Sequence, residues 1–379
     1  MRNLKVAIVH DYLNQMGGAE RVVAVFHKMF PDAPIYTTIV DQNKLLPELK
    51  DAVIHTTWMQ RIPGILSKFK LFFWLYPFAV RSMNVKDYDL ILSSSSAYAK
   101  GVRKGNQSVH VCYCHAPMRF AWNFEAYMDS VQVPNLVKRI AKWFTYPLQA
   151  WDKNNSKQVD YLIANSTIVK QRIRQWYGLN ASIIFPPVEV SRFSINEEKP
   201  EDYFLVVSRL VSYKRIDLAV EACTRLGRRL LVVGDGPDRQ RLEQLAGDNI
   251  TFLGRKSDAE VVRYMQRCQA LIFPGIEDFG ITPLEVNACG RPIIAYHEGG
   301  ALDTVVAEKT GLFFNEQSID SLSEIIRRFD QYDWNPEWIR QHAEKFSEDV
   351  FVKRLQSSID GLIRAREINA KLMEVEGSY

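Results

Sequence analysis

Cysteine is scarce in this chain: five residues in 379, at positions 112, 114, 223, 268 and 289. They are too few and too scattered for a disulfide scaffold, and a reducing compartment is expected. No apolar run approaches the roughly 20 residues that cross a bilayer. The run Val6–Val9 ends at His10-Asp11, as a buried strand does and a secretory leader does not. A cytoplasmic location follows as an expectation. The glycine fingerprint of dinucleotide binding is also incomplete. Gly234-Asp-Gly236-Pro237 begins one, but Arg239 stands in the third glycine's place, so a strand-to-helix turn opened by Pro237 is the better reading. A nicotinamide-dependent oxidoreductase thereby loses its main support. Metal-ligand spacing is missing as well. Cys112-x-Cys114 has no second pair, and Asp87-x-Asp89 precedes a strand at its amino end. No metal and no cofactor are expected.

What is present is an ordinary globular balance, 47% hydrophobic and 24% charged, in a chain long enough for two domains. The net charge of +4 conceals an asymmetry. Residues 1–195 carry 24 basic and 13 acidic side chains, and the remainder 24 and 31. A basic amino half points to an anionic partner, and a nucleic acid, a membrane surface or a phosphorylated acceptor would each qualify.

Short apolar runs alternate with helical patterns. Strands are expected at 5–9, 90–93, 109–114, 161–164 and 182–185, then at 203–208, 229–233, 250–252, 270–273 and 292–296. Helices are expected at 18–30, 214–226, 238–245, 258–267 and 284–289. Uninterrupted apolar strands separated by helices imply an α/β chain with parallel sheets covered on both faces. Prolines and charges between 186 and 202 interrupt both patterns. The expected units are 1–195, 196–345 and a last segment, 346–379. In that segment Phe351, Leu355, Ile359, Leu362 and Ile363 share one helical stripe.

Candidate chemistry gathers at strand ends. Gly17-Gly18 opens a helix after the first strand and reads either as a phosphate cradle or as a tight turn. Arg209 and Lys214 flank a turn, where two cations can hold a diphosphate or can form a solvated basic bend. Glu277 and Glu285 stand eight residues apart around Gly280, which leaves the amides of Ile281 and Thr282 able to point at a ligand. Carboxylates suit sugar diols. His115 ends the strand 109–114, and its cleft-facing place competes with a purely structural role. The segments 68–78 and 136–151 are basic and aromatic. Each reads as a membrane-interface helix or as a core stripe with a solvated basic side.

These residues together resemble the group-1 retaining glycosyltransferases, glycosyltransferase family 4, of the two-domain GT-B fold. The likeness lies closest to the WbaZ-like branch that builds O-antigens and exopolysaccharides. It is carried by Val9–Leu13 with Gly17–Glu20, Cys112–Trp122, Ile163–Ser166, Pro186–Val188, Arg209–Asp217, Gly234–Pro237, Glu277–Glu285 and Glu298–Leu302. The resemblance implies two Rossmann-like domains facing a cleft, and a final helix that returns to the amino domain. It implies that Arg209 and Lys214 grip the donor diphosphate, Glu277 the hexose, Glu285 the ribose, and Ile281-Thr282 the distal phosphate. Gly254-Arg255 would border the base, Gly17-Gly18 the phosphates, and His115 the reacting sugar. The implied donor is UDP-glucose or GDP-mannose. The acceptor would be a polyprenyl-diphosphate-linked saccharide at an anionic membrane surface, with no nucleic acid involved. One departure is Asp278, where the family often has glycine. A non-catalytic binding module remains the rival reading.

Overall fold

The computed structural model describes residues 4–124 and 135–376. The chain divides into two units, Met1–Pro187 with Asp349–Tyr379, and Val188–Glu348. The amino-terminal unit is built on a seven-stranded parallel sheet. Its strands are β1 (Val6–His10), β2 (Ile35–Thr37), β3 (Ile54–Thr56), β4 (Leu90–Ser95), β5 (Val109–Cys114), β6 (Tyr161–Ala164) and β7 (Ser182–Ile183). They lie in the order β3-β2-β1-β4-β5-β6-β7. The carboxy-terminal unit has six parallel strands: β8 (Phe204–Val207), β9 (Leu230–Val233), β10 (Ile250–Gly254), β11 (Leu271–Phe273), β12 (Ile293–Tyr296) and β13 (Gly311–Phe314). Their order is β10-β9-β8-β11-β12-β13. Each is a doubly wound, Rossmann-like sheet. Its topological switch falls between the first and fourth strands, where such sheets bind ligands at their carboxyl ends.

The cores follow from composition. In β1, β4 and β5 every residue is buried, which requires apolar or internally bonded side chains on both faces. Three strands escape the sequence expectations: β2, β3 and β13 are only three or four residues long. The first boundary also lies earlier than residue 195. Val188 pairs with Ser347, and the Phe193 carbonyl accepts a hydrogen bond from Arg340, so residues 188–195 are held by the second unit. The final helix, Glu348–Glu376, puts Phe351, Leu355 and Ile359 into the core of the amino-terminal unit. All five cysteines are free and buried. Asp89 accepts the Lys5 amide at 2.9 Å, a strand-entry contact.

Candidate functional site

In the carboxy-terminal unit Arg209, Lys214 and Glu277 come together at the ends of β8 and β11, the two strands that flank the switch. After β8 the chain makes a short turn, Ser212–Lys214, and Arg215 adopts a left-handed backbone (φ 51°) before the helix Ile216–Leu226 begins. A non-glycine residue held there carries strain of the kind that accumulates at working sites. The turn aims Lys214 at the loop after β11, where its Nζ forms an ion pair with Glu277. Both side chains are mostly shielded, with exposures of 14% and 27%. Gly275 lets the loop run against the Lys214 backbone, since a Cβ there would stand 2.8 Å from the Lys214 carbonyl. Arg209 is exposed and donates to the Tyr213 hydroxyl at 3.3 Å, and the Tyr213 ring lies 5.6 Å from Lys214 Nζ. Tyr213 therefore touches both cations, a link that no spacing rule predicts.

The helix after Glu277 starts earlier than expected. It spans Ile281–Ala288, so Glu285 lies in its middle and Ile281 and Thr282 form its first turn. Gly280 caps it at φ 86°, where a Cβ would come within 2.9 Å of the Phe273 ring, and no side chain caps the amides. A helix start without a side-chain cap, four residues after the glutamate that pairs with Lys214, is a natural anion site. Glu285 lies close enough to Cys289 to help raise its thiol, which burial first pushes up to about 12. Asp278 is buried. Gly254 has φ 68° and its carbonyl accepts the Gly234 amide at 2.9 Å, joining the turns after β9 and β10, while Arg255 is exposed. Gly236 leads into the helix Arg239–Leu245, the strand-to-helix turn expected there.

The amino-terminal unit holds its own polar cluster at the β1–β4 switch. Gly17 caps the helix Gly18–Met29, and its amide donates to Glu20 Oε2 at 3.0 Å. His115 follows β5, and its Nε2 lies 2.8 Å from Ser94 Oγ. His10 lies between them. Its Nδ1 is 3.0 Å from the Ser94 carbonyl and 3.1 Å from Ser94 Oγ, and its Nε2 is 3.7 Å from Glu20 Oε1. Burial and the neighbouring His10 push His115 down to about 3. Burial also disfavours charge on His10, but Glu20 outweighs it and raises His10, while His10 in turn lowers Glu20. The Asp11 carboxylate is fully committed to the amides of Ser96, Ala97, Tyr98 and Ala99 at 2.6–2.9 Å. Neither His10 nor Ser94 was singled out in the sequence. The only sign was a polar His-Asp pair closing an apolar strand. Among the described residues no cluster of three or more His, Cys, Asp or Glu side chains could hold a metal.

The chain is thus built on two doubly wound parallel sheets, and the carboxy-terminal one carries a cation–carboxylate pair at its switch point. Residues 16–192 match the model for Glycosyltransferase Family 4, and residues 187–346 match that for Glycosyl transferases group 1. Together they take in most of the chain, and it belongs to the group 1, family 4 glycosyltransferases. The alpha-1,3/1,6-mannosyltransferase ALG2 of Mus musculus is 22% identical over 92% of this chain and 94% of its own. A GDP-mannose-dependent alpha-(1-6)-phosphatidylinositol monomannoside mannosyltransferase of Mycobacterium tuberculosis is 30% identical over 42% of this chain and 50% of its own. The match thus spans about half the length of that relative, as it does for an uncharacterized glycosyltransferase of Methanocaldococcus jannaschii, at 48%. Anabaena HepE in complex with UDP aligns at a TM-score of 0.71 and 16% identity, over 94% of this chain and 100% of that one. The fold is that of the GT-B glycosyltransferases.

Proposed function

We propose that this protein moves a hexose, with retention of anomeric configuration, from a nucleotide sugar to a lipid-linked saccharide in cell-envelope polysaccharide synthesis. The observation that carries the reading is the Lys214–Glu277 pair beside the uncapped start of the helix Ile281–Ala288. Breaking an anomeric phosphate bond leaves positive charge on carbon and negative charge on the departing diphosphate. Arg209, Lys214 and the amides of Ile281 and Thr282 neutralise the second charge where it grows. Glu277 and Glu285 grip hydroxyls of the hexose and the ribose, and Gly254-Arg255 borders the base. This scheme assigns charge neutralisation to side chains and helix amides rather than to a metal ion. With no carboxylate assigned as nucleophile, the acceptor attacks from the face the leaving group departs, and the leaving phosphate takes its proton.

UDP-glucose is the first donor to test, supported by the likeness to a UDP-bound structure, and GDP-mannose the second, supported by the mannosyltransferase relatives. The branch assigned is the WbaZ-like one. An acceptor on a polyprenyl diphosphate places the enzyme at the inner face of the plasma membrane. That is supported by the basic amino half and by exposed aromatic side chains at Trp74, Phe78, Trp143 and Tyr146. Among the described residues no helix is long and apolar enough to cross a membrane, so attachment would be peripheral.

Thermal-shift screening of UDP, GDP and their sugars tests the donor, because a ligand at 100 times its Kd adds about 2.7 kcal/mol of stability. One nucleotide class is expected to raise the melting temperature and to be released as free diphosphate in the presence of a lipid-linked acceptor. Binding without release across the panel would favour a non-catalytic module, and no binding at all would overturn the reading.

A further inference from the structure

The polar chain Glu20–His10–Ser94–His115, an ion-pair contact followed by two hydrogen-bonded links, constrains where its protons sit. A carbonyl oxygen only accepts, so His10 Nδ1, 3.0 Å from the Ser94 carbonyl, must carry a proton. Were His10 neutral, its bare Nε2 would face the Glu20 carboxylate at 3.7 Å, lone pair against negative charge. The buried pair is therefore imidazolium and carboxylate, with exposures of 2% and 1% for the two residues. The groups facing His10 are Glu20 from the helix Gly18–Met29, Asp11 next in the chain, Ser94 of β4 and His115 beyond β5. Asp11 is already taken by four amides. The His10 Nδ1–H also faces Ser94 Oγ, which accepts it in a shared hydrogen bond and keeps a proton of its own to donate. Among the described residues the only acceptor within its reach is His115 Nε2, at 2.8 Å. His115 Nε2 therefore accepts, and its own proton sits on Nδ1.

We propose that Ser94, His10 and Glu20 are positioning residues that hold His115 as a neutral imidazole protonated on Nδ1, so that it offers a sugar hydroxyl a hydrogen-bond donor and cannot serve as a base. The same Glu20 carboxylate takes the Gly17 amide, so one buried ion pair fixes both the glycine turn and the histidine, which lie 98 positions apart in the chain. The register of β1 on β4 makes this possible, because His10 and Ser94 are direct cross-strand partners. The role toward sugar rests on the transfer reading, whereas the proton arrangement does not.

The test is a multiple-bond proton–nitrogen NMR spectrum of the full chain labelled with nitrogen-15 histidine, without ligand, at pH 7. The seven histidines are distinguished through His115→Gln and His10→Gln. His115 is expected neutral with its proton on Nδ1, and His10 protonated on both nitrogens. Glu20→Gln should turn His10 neutral at the same pH. Ser94→Ala should mix the His115 tautomers, and Ser94→Thr, which keeps the hydroxyl, should restore the single one. In turnover, Ser94→Ala should lower kcat about tenfold with little change in KM, the size of one lost hydrogen bond, and Ser94→Thr should recover it. His115 protonated on Nε2 or on both nitrogens, or a tautomer indifferent to Ser94→Ala, overturns the proposal. The expected spectrum in a protein that releases no nucleotide diphosphate from any sugar donor supports the proton arrangement and overturns the transfer reading alone.

Discussion

Lys214 and Glu277 satisfy each other as an ion pair; under the proposed function, neither side chain must then be ordered when the diphosphate and the hexose bind. Preorganisation of that kind appears in turnover rather than in affinity. Lys214→Ala is expected to lower kcat about 10²- to 10³-fold, the usual cost of one lost electrostatic stabiliser, while the donor Kd measured by titration moves less than tenfold. Equal losses in both would mean that Lys214 grips the ground state and contributes nothing specific to the leaving group. Arg209, Lys214, Glu277 and Glu285 could be singled out in the sequence because each stands in a local run, next to glycine or a turn, whose residue types already narrow the chemistry. Glu20 was visible in the same way as part of Gly-Gly-Ala-Glu, but its partner was not. The register that sets His10 beside Ser94, 84 positions away, is a property of the sheet and leaves no local trace.

The elements that carry aromatic side chains outward are the segments around 69–81 and the helix Asn135–Ser156. Each is anchored on one side, as Tyr76 and Leu148 are buried, and presents Leu71, Trp74, Phe78, Trp143 and Tyr146 at exposures of 50% to 81%. Phe73 and Phe144 join the two, with ring centroids 6.2 Å apart, so the segments form one surface. The side chains of Leu136, Val137 and Ile140, expected on the same stripe, lie outside the described residues. Under the proposed membrane reading, these rings and the exposed Lys68, Lys70, Arg139 and Lys142 would meet an anionic bilayer, where each nearby cation adds about 1 kcal/mol. The protein should float with vesicles rich in anionic lipid at low salt. A Trp74→Ala/Trp143→Ala double variant should float markedly less, and high salt should release both. Flotation indifferent to lipid charge and to the two tryptophans would remove the membrane assignment. The sequence could weigh such a face only as one reading of two, because periodicity fixes a stripe but not whether it is covered. One helix, expected from 284, starts three residues earlier, at Ile281. Pro283 lies in the first turn of Ile281–Ala288, where it forfeits only an amide that has no partner there.

For the whole molecule, the order of the chain does not coincide with the order of its units. The last helix leaves the carboxy-terminal unit at Glu348 and completes the core of the first, where Phe351 packs on Phe26 and Tyr113 with ring centroids 6.3 Å and 5.6 Å apart. Its apolar stripe showed in the sequence that it must be buried, and only the packing shows against what. Phe351, Leu355 and Ile359 are each about 1% exposed or less, and burying a side chain of this kind contributes about 1.5–3 kcal/mol. Three of them amount to roughly 5–9 kcal/mol, comparable with the whole net stability of a typical domain. A chain ended after Glu348 should therefore lose the calorimetric transition of the amino-terminal unit, while the unit Val188–Glu348, whose main core cluster and the side chains packed on it run no further than Trp334, keeps its own. Adding the missing helix as a separate peptide should recover part of the lost transition in proportion to its concentration, as mass action requires. Two transitions surviving truncation with little change would mean that the first sheet is stable without Phe351, Leu355 and Ile359, and that the returning helix serves some purpose other than completing the core.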